Sequence, residues 1–383
     1  MHRISKTKSM KPMRALKFAA LVTLIVFVVL SACGNSKPSD IRPAAVSGSF
    51  YPSDPQKLKL AVQKFLGDSP EIPMEKPIAL VVPHAGYIYS GQICADAYRQ
   101  IMGHSYDVVV VLGTNHTTAG FSGISLGEYD FYRTPLGDIP IDQTVVSALL
   151  NEDSDCVRSR TVHIGEHSVE IQLPFIQTLL PNARIVPAII YPPNYEMCLR
   201  FGRTLAKVLE NQQALIVISS DLSHYPNYDD AVKVDSVTLK TIADLDLSRI
   251  SSLMRNLDAP GLDTRACGEA GILAGIAAAK SLGATRAIVA SYANSGDVLI
   301  GDKSRVVGYG AVILSSGNSP NDTKALNRSM VPSKAEPLQN SEKKMLLHFA
   351  RESILRYLTT QTLPLPRNFP SRMKYPQGAF VTL

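Results

Sequence analysis

The chain is short of the motifs that announce an activity. It carries no Gly-x-Gly-x-x-Gly run and no P-loop, so nucleotide phosphate binding has little support. No Gly-x-Ser-x-Gly elbow between a strand and a helix is expected, which leaves a serine hydrolase weakly supported. Cysteine is scarce: there are five in 383 residues, and their spacing fits neither a Cys-x-x-Cys zinc site nor a dense disulfide scaffold. A surplus of positive charge is also missing once the charges are located. The formal net charge is +6, but Arg3, Lys6, Lys8, Lys11, Arg14 and Lys17 supply six positive charges before the first acid. Without them the 39 Lys and Arg fall to 33, equal to the 33 Asp and Glu. The remainder is near neutral, so no nucleic-acid partner is expected.

What is present begins with that basic stretch. Phe18 to Leu30 follows it, an apolar run of signal-peptide length that is short for a hydrocarbon core of about 30 Å. Leu30-Ser31-Ala32-Cys33 comes directly after. The order of basic region, apolar region, small residues and cysteine matches the bacterial lipoprotein signal. Residues 1–33 are therefore expected to be a signal peptide with its lipobox, with Cys33 lipidated and made the new N-terminus. Residues 34–40 would tether a membrane-anchored lipoprotein outside the cytoplasm. Cys94, Cys156, Cys198 and Cys267 remain, and in an oxidising compartment one disulfide among them is conceivable.

Apolar, β-rich runs recur at Ile78 to Val82, Val108 to Leu112, Arg184 to Ile190, Ala214 to Ser219, Arg286 to Ala290 and Val306 to Leu314. Several lack alternation and read as strands buried on both faces. Helical spacing fills the intervals at about 55–66, 90–102, 168–180, 196–210, 231–243 and 269–282. Such alternation predicts an α/β domain over 41–316, with a mostly parallel sheet, helices on both faces and a site at the carboxyl ends of the strands. Residues 317–340 are polar and turn-rich and read as a linker. From Ser341 an apolar stripe of Met345, Leu346, Phe349, Ile354, Leu355 and Leu358 predicts a helix.

Metal-capable residues stand just past the strand ends. His84 lies in Val-Pro-His-Ala-Gly-Tyr, His116 in Leu-Gly-Thr-Asn-His, and Asp221 and His224 in Ser-Ser-Asp-Leu-Ser-His. Cys267 precedes a helix expected near Gly268, where its thiolate would be favoured. Each has an ordinary explanation alone: a strand-end His bonds a carbonyl, a Cys is simply buried, an Asp caps a turn. Together, imidazoles with a thiolate or carboxylate form a ligand set for iron, copper or zinc. Glu166, His167 and Glu170 surround Ser168, a candidate helix cap. They either stabilise that helix or form a second shell orienting the site imidazoles. His163, just before them, is read as surface or rim. Arg133 is a candidate for an anionic ligand, although an Arg in a turn is usually solvated.

Six segments carry a family resemblance: Arg42-Pro43-Ala44-Ala45-Val46-Ser47-Gly48-Ser49-Phe50-Tyr51-Pro52, Pro83-His84-Ala85-Gly86-Tyr87, Gly113-Thr114-Asn115-His116, Tyr132-Arg133-Thr134-Pro135-Leu136-Gly137, Glu166-His167-Ser168-Val169-Glu170 and Ser219-Ser220-Asp221-Leu222-Ser223-His224. In this order, over nearly all of 41–316, they resemble the Memo family, in the bacterial branch called AmmeMemoRadiSam system protein B. The resemblance implies a fold similar to class III extradiol dioxygenases and a metal held by two His and one Cys. By motif these correspond to His84, His116 and Cys267, with Asp221 and His224 completing the pocket as proton carriers. Thr117 departs from the pattern, standing where many relatives have a second adjacent His. The segment 341–383 resembles the opening of an AMMECR-type domain. The Leu-Arg-Gly-Cys-Ile-Gly motif expected soon after does not follow before Leu383, so an incomplete domain is expected.

The function implied is metal binding, iron or copper, with redox or oxygen-dependent activity on a small molecule. Two alternatives stay open: a non-catalytic module that recognises a peptide or ligand, as family members are said to bind phosphopeptides, and zinc-assisted hydrolysis. Partners implied by the resemblance are a radical S-adenosylmethionine protein and an AMMECR-type protein, and the lipid would supply a membrane contact.

Overall fold

Strands form where β-branched residues run without polar interruption, and the run Val108 to Val111 lies at the heart of the domain. The computed structural model describes residues 39–298, 301–317 and 351. The chain divides between Asp40 and Ile41 into two units, and the strands and helices from β1 to β11 all belong to the second. Cys33 and the whole 1–33 segment lie outside the described residues. So do the tether except Ser39 and Asp40, the linker except Gly317, and the AMMECR-like segment except Arg351.

The elements run β1 (Ile41–Arg42), α1 (Pro55–Asp68), β2 (Pro77–Val82), α2 (Tyr87–Tyr98), β3 (Val108–Gly113), β4 (Gly123–Leu126), β5 (Phe131–Thr134), β6 (Gly137–Pro140), α3 (Gln143–Glu152), β7 (Cys156–Arg158), α4 (Arg160–Ile164), α5 (Leu173–Leu179), β8 (Arg184–Tyr191), α6 (Tyr195–Leu209), β9 (Ala214–Ser219), α7 (Tyr228–Ala243), α8 (Leu247–Met254), α9 (Glu269–Ser281), β10 (Arg286–Asn294) and β11 (Gly308–Ser315). Eight strands form one sheet in the order β10-β11-β2-β9-β3-β8-β4-β7, and β1-β5-β6 form a second, small one. In the large sheet β2, β9, β3 and β8 are parallel neighbours. Antiparallel pairing joins β10, β11 and β2 on one flank and β4 to β8 on the other. The fold is α/β with helices on both sides, parallel at its centre and mixed at its flanks.

Every residue of β3 is buried, as expected for a strand covered on both faces. Helix starts are set by side chains accepting from the first orphan N–H groups: Asp54 for α1, Asp142 for α3, Asn194 for α6, Asn227 for α7 and Asp246 for α8. Helix α9 is apolar almost all round and is correspondingly buried, pressed against α6 and the sheet.

The six expected strands are all present, but five short ones, β1 and β4 to β7, were not foreseen, nor were α3, α4 and α8. The single helix expected over 168–180 is split into a tight turn at Glu170–Gln172 and α5. Ser168 caps neither. Its hydroxyl donates to the Thr114 carbonyl at 3.0 Å and accepts from the Thr114 N–H at 3.1 Å, clasping the end of β3. A Gly-x-Ser-x-Gly run does occur, at Gly123-Ile124-Ser125-Leu126-Gly127, but it builds β4 and a following loop, so no elbow forms. The four described thiols are free, and no disulfide forms among them.

Candidate metal centre

Strands β2, β9 and β3 are neighbours, so the loops leaving their carboxyl ends converge. The first carries His84, the second Asp221 and His224, the third His116. A fourth loop, Gly165 to Val169, is drawn to the same place because Ser168 grips Thr114. That grip needs Gly113, where a Cβ would overlap the Ser168 hydroxyl. His84, His116 and His167 thereby come together, with ligand nitrogens all within 4.8 Å of one another. Their ring centroids are 5.1 Å (His84–His116), 5.4 Å (His84–His167) and 4.7 Å (His116–His167) apart.

Hydrogen bonds fix the tautomer of His84. The Ser219 hydroxyl donates its one proton to the Ser168 carbonyl at 2.6 Å and accepts from Gln172 Nε2 at 2.9 Å. The remaining bond, 3.1 Å to His84 Nδ1, must therefore be donated by the imidazole, which leaves the Nε2 lone pair free. Glu166 does the same for His116. Its carboxylate accepts from His116 Nδ1 at 3.0 Å and from three backbone N–H groups: His116 at 2.6 Å, His167 at 2.8 Å and Ser168 at 2.8 Å. His167 Nδ1 stands 3.4 Å from the same oxygen that His116 Nδ1 meets. Burial works to raise the Glu166 carboxyl, but His116, His167 and the Ser168 N–H outweigh it and hold it at about 2. Burial, reinforced by the neighbouring imidazoles, pushes His84 well below the usual histidine range, so it stays neutral. His167 is lowered too, mainly by burial.

The other expected residues fall into two groups. Close to the imidazoles, the Cys267 sulfur lies 3.2 Å from His84 Nε2. The helix begins where expected, at Glu269 after Gly268, but burial together with the Asp221 charge pushes the thiol far up, so the expected thiolate is not favoured. Asp221 Oδ1 accepts the N–H groups of His84 at 2.7 Å and Ala85 at 3.2 Å, so it holds the His84 loop in place. His224 donates Nδ1–H to the Leu222 carbonyl at 2.9 Å, leaving its Nε2 free. Further away, Glu170 is fully buried and binds Arg42, the N–H groups of Ala45 and Val46, and the Tyr51 hydroxyl. It fastens the segment 42–51, whose Phe50 ring packs edge-on against His167 at 5.0 Å. Arg133 lies on the small sheet, exposed and paired with Asp138 through two bonds of 2.7 and 2.8 Å. His163 is fully buried, not at a rim: Nε2 donates to the Ser125 carbonyl at 3.0 Å, and the Tyr132 hydroxyl therefore donates to Nδ1 at 2.6 Å.

Sequence reasoning placed His167 behind the site, whereas it stands beside His84 and His116. No local signal in the sequence places it there, because its position depends on the Ser168 hydroxyl reaching Thr114.

The profile of a family described as Memo-like protein matches residues 42–313. A MEMO1 family protein of Aquifex aeolicus is 38% identical over 280 residues, which is 72% of this chain and 99% of that protein. A MEMO1 family protein of Methanocaldococcus jannaschii, MJ0403, is 36% identical over 291 residues, 72% of this chain and 99% of that protein. One from Ignicoccus hospitalis is 34% identical over 285 residues, 71% and 98% of the two chains.

Proposed function

The chain belongs to the Memo family, and from that premise we propose that it binds a borderline transition metal, iron or copper, at His84, His116 and His167 and acts in redox or oxygen-dependent chemistry on a small molecule. The carrying observation is the approach of three imidazole nitrogens to within 4.8 Å of one another. Ligands on one ion at about 2.0 Å sit roughly 3 Å apart, so modest side-chain rotation closes the set. The donor chemistry fits. His84 and His116 each spend Nδ1–H on a fixed acceptor, Ser219 or Glu166, which orients the other nitrogen. When bound, such an ion supplies a redox centre and Lewis acidity. The chain's own residues do the rest: Glu166 orients, Phe50 walls the His167 side, and Asp221 and His224 are placed to hold or move a proton.

A second ligand set, His84, His116 and Cys267, is favoured by a separate distance. The sulfur is 3.2 Å from His84 Nε2, and N and S ligands of one ion lie roughly 3.1–3.6 Å apart. The test is metal content and affinity of the full chain in detergent after loading with Fe(II) or Cu, for wild type, His84→Ala, His167→Ala and Cys267→Ser. One ion per wild-type chain, lost in His84→Ala and reduced in His167→Ala, is expected. Larger loss in Cys267→Ser than in His167→Ala selects the second set, and an empty wild type refutes both. Oxygen uptake separates redox chemistry from zinc-assisted hydrolysis. We also read the chain as lipid-tethered at Cys33, with a radical S-adenosylmethionine protein and an AMMECR-type protein as partners. Support for this is the order of residues 1–33 and the family resemblance.

A further inference from the structure

Arg133, the arginine first considered for an anionic ligand, is already engaged by Asp138 on a separate sheet. Another arginine stands at the His224 edge of the site. The exposed guanidinium of Arg305 lies over Tyr225, its carbon 3.7 Å from the ring centroid. That ring meets the His224 imidazole edge-on at 5.5 Å. The cation is thus no further from the imidazole than those two lengths end to end. Among the described residues no carboxylate pairs with Arg305; the nearby Asp302 accepts from the Ser304 N–H instead.

The platform is held firmly. Tyr225 has φ +74, a left-handed conformation uncommon for a bulky residue, and its carbonyl sits close over Gly261, 3.1 Å from where a Cβ would stand. Its N–H donates to the Val306 carbonyl at 2.7 Å, and the Val306 N–H returns to the Pro226 carbonyl at 2.9 Å. Val306, next to Arg305, is therefore tied to Tyr225 and to its neighbour Pro226. A cation on a fixed aromatic ring loses little freedom on binding an anion, and its fork suits a planar carboxylate or a phosphate.

We propose that Arg305, laid on Tyr225, is the anion reader of this site, binding a carboxylate or phosphate of a small organic ligand whose other end reaches the imidazoles. The place of that other end rests on the metal reading; the anion contact does not. The test is calorimetric titration of the full chain in detergent, metal-free and metal-loaded, with benzoate and with phenyl phosphate. Wild type is expected to bind at least one probe, and Arg305→Ala to weaken it by about tenfold or more, as loss of a charge-assisted bond does. Arg133→Ala should bind as wild type. Arg305→Lys should recover phenyl phosphate more than benzoate, since an ammonium lacks the planar fork. Binding of benzoate alone or of phenyl phosphate alone assigns the anion. Metal content of Arg305→Ala should equal wild type, so an empty metal site would overturn the metal reading while anion binding survives. Binding unchanged in Arg305→Ala, an equal loss in Arg133→Ala, or no binding of either probe to wild type overturns the proposal.

Discussion

Arg42→Met should destabilise the protein far more than an ordinary ion-pair substitution. The guanidinium is fully buried, and every face of it is used. It pairs with Glu170, donates Nε–H to the His163 carbonyl at 2.9 Å and Nη2–H to the Glu166 carbonyl at 2.6 Å, and lies 4.9 Å from the Tyr132 centroid. Methionine keeps much of the volume and none of the charge. It strands a buried carboxylate with only the Ala45 and Val46 N–H groups and the Tyr51 hydroxyl, and takes a donor from the Glu166 carbonyl, while the His163 carbonyl keeps its backbone N–H partners. Breaking one side of a buried pair costs about 3–5 kcal/mol, against about 0–1 kcal/mol for an exposed pair. Urea unfolding of both proteins at one pH reads the difference as a fall in midpoint at unchanged slope. Adding Glu170→Gln removes the stranded charge and should recover part of the loss. A loss below about 1 kcal/mol, or a double variant whose loss is the plain sum of the two single ones, would refute a strongly coupled buried pair. Because the same guanidinium anchors the loop carrying Glu166 and His167, ion occupancy should fall in parallel.

Ser219→Ala removes the acceptor that fixes His84 Nδ1 and should lower metal affinity by about tenfold or more, as loss of an outer hydrogen bond does; chelator competition measures it, and an unchanged affinity counts against the tautomer argument. Burial raises the Asp235 carboxyl from its ordinary 3.8 to about 7, despite the donors Ser223 and Tyr292. The fold therefore favours the protonated form, whose contribution to stability is complete below about pH 4 and lost as pH rises through about 7. Asp235→Asn should flatten the decline in melting temperature between pH 5 and 8, and an unaltered decline argues against it. Cys33→Ser should abolish incorporation of labelled fatty acid and leave an uncleaved precursor, whereas labelling that persists would place the lipid elsewhere.

The parallel centre of the sheet was legible because its strands are buried on both faces and therefore written as continuous runs, Val108 to Val111 most plainly. The short strands were not. Strand β5 holds Tyr132 buried beside an exposed Arg133, and β6 opens with the exposed pair Gly137-Asp138, so neither supplies an apolar signal above that of a loop. The site followed the same division. His84, His116, Asp221 and His224 were readable from position, since each comes just after a strong strand. His167 follows no strand, and its place depends on the Ser168 clasp of Thr114, a contact between residues far apart in sequence. Likewise Arg133 and Arg305 look alike in sequence, and only the partner of each separates an engaged guanidinium from an available one.

The pocket is built of acceptors. With Nδ1–H of His84 and His116 committed to Ser219 and Glu166, their remaining nitrogens offer lone pairs to the same small space. His116 is exposed and can meet water, but at His84 the lone pair is buried and needs a donor or a cation. Protonating His84 is no answer, because burial and the other two rings already oppose charge there. The neutral Cys267 thiol can serve His84 alone, and its single proton cannot also serve His116. One positive ion with several open positions satisfies all of these groups at once, and Glu166, kept ionised behind two of the three rings, supplies the countercharge that makes such an ion welcome.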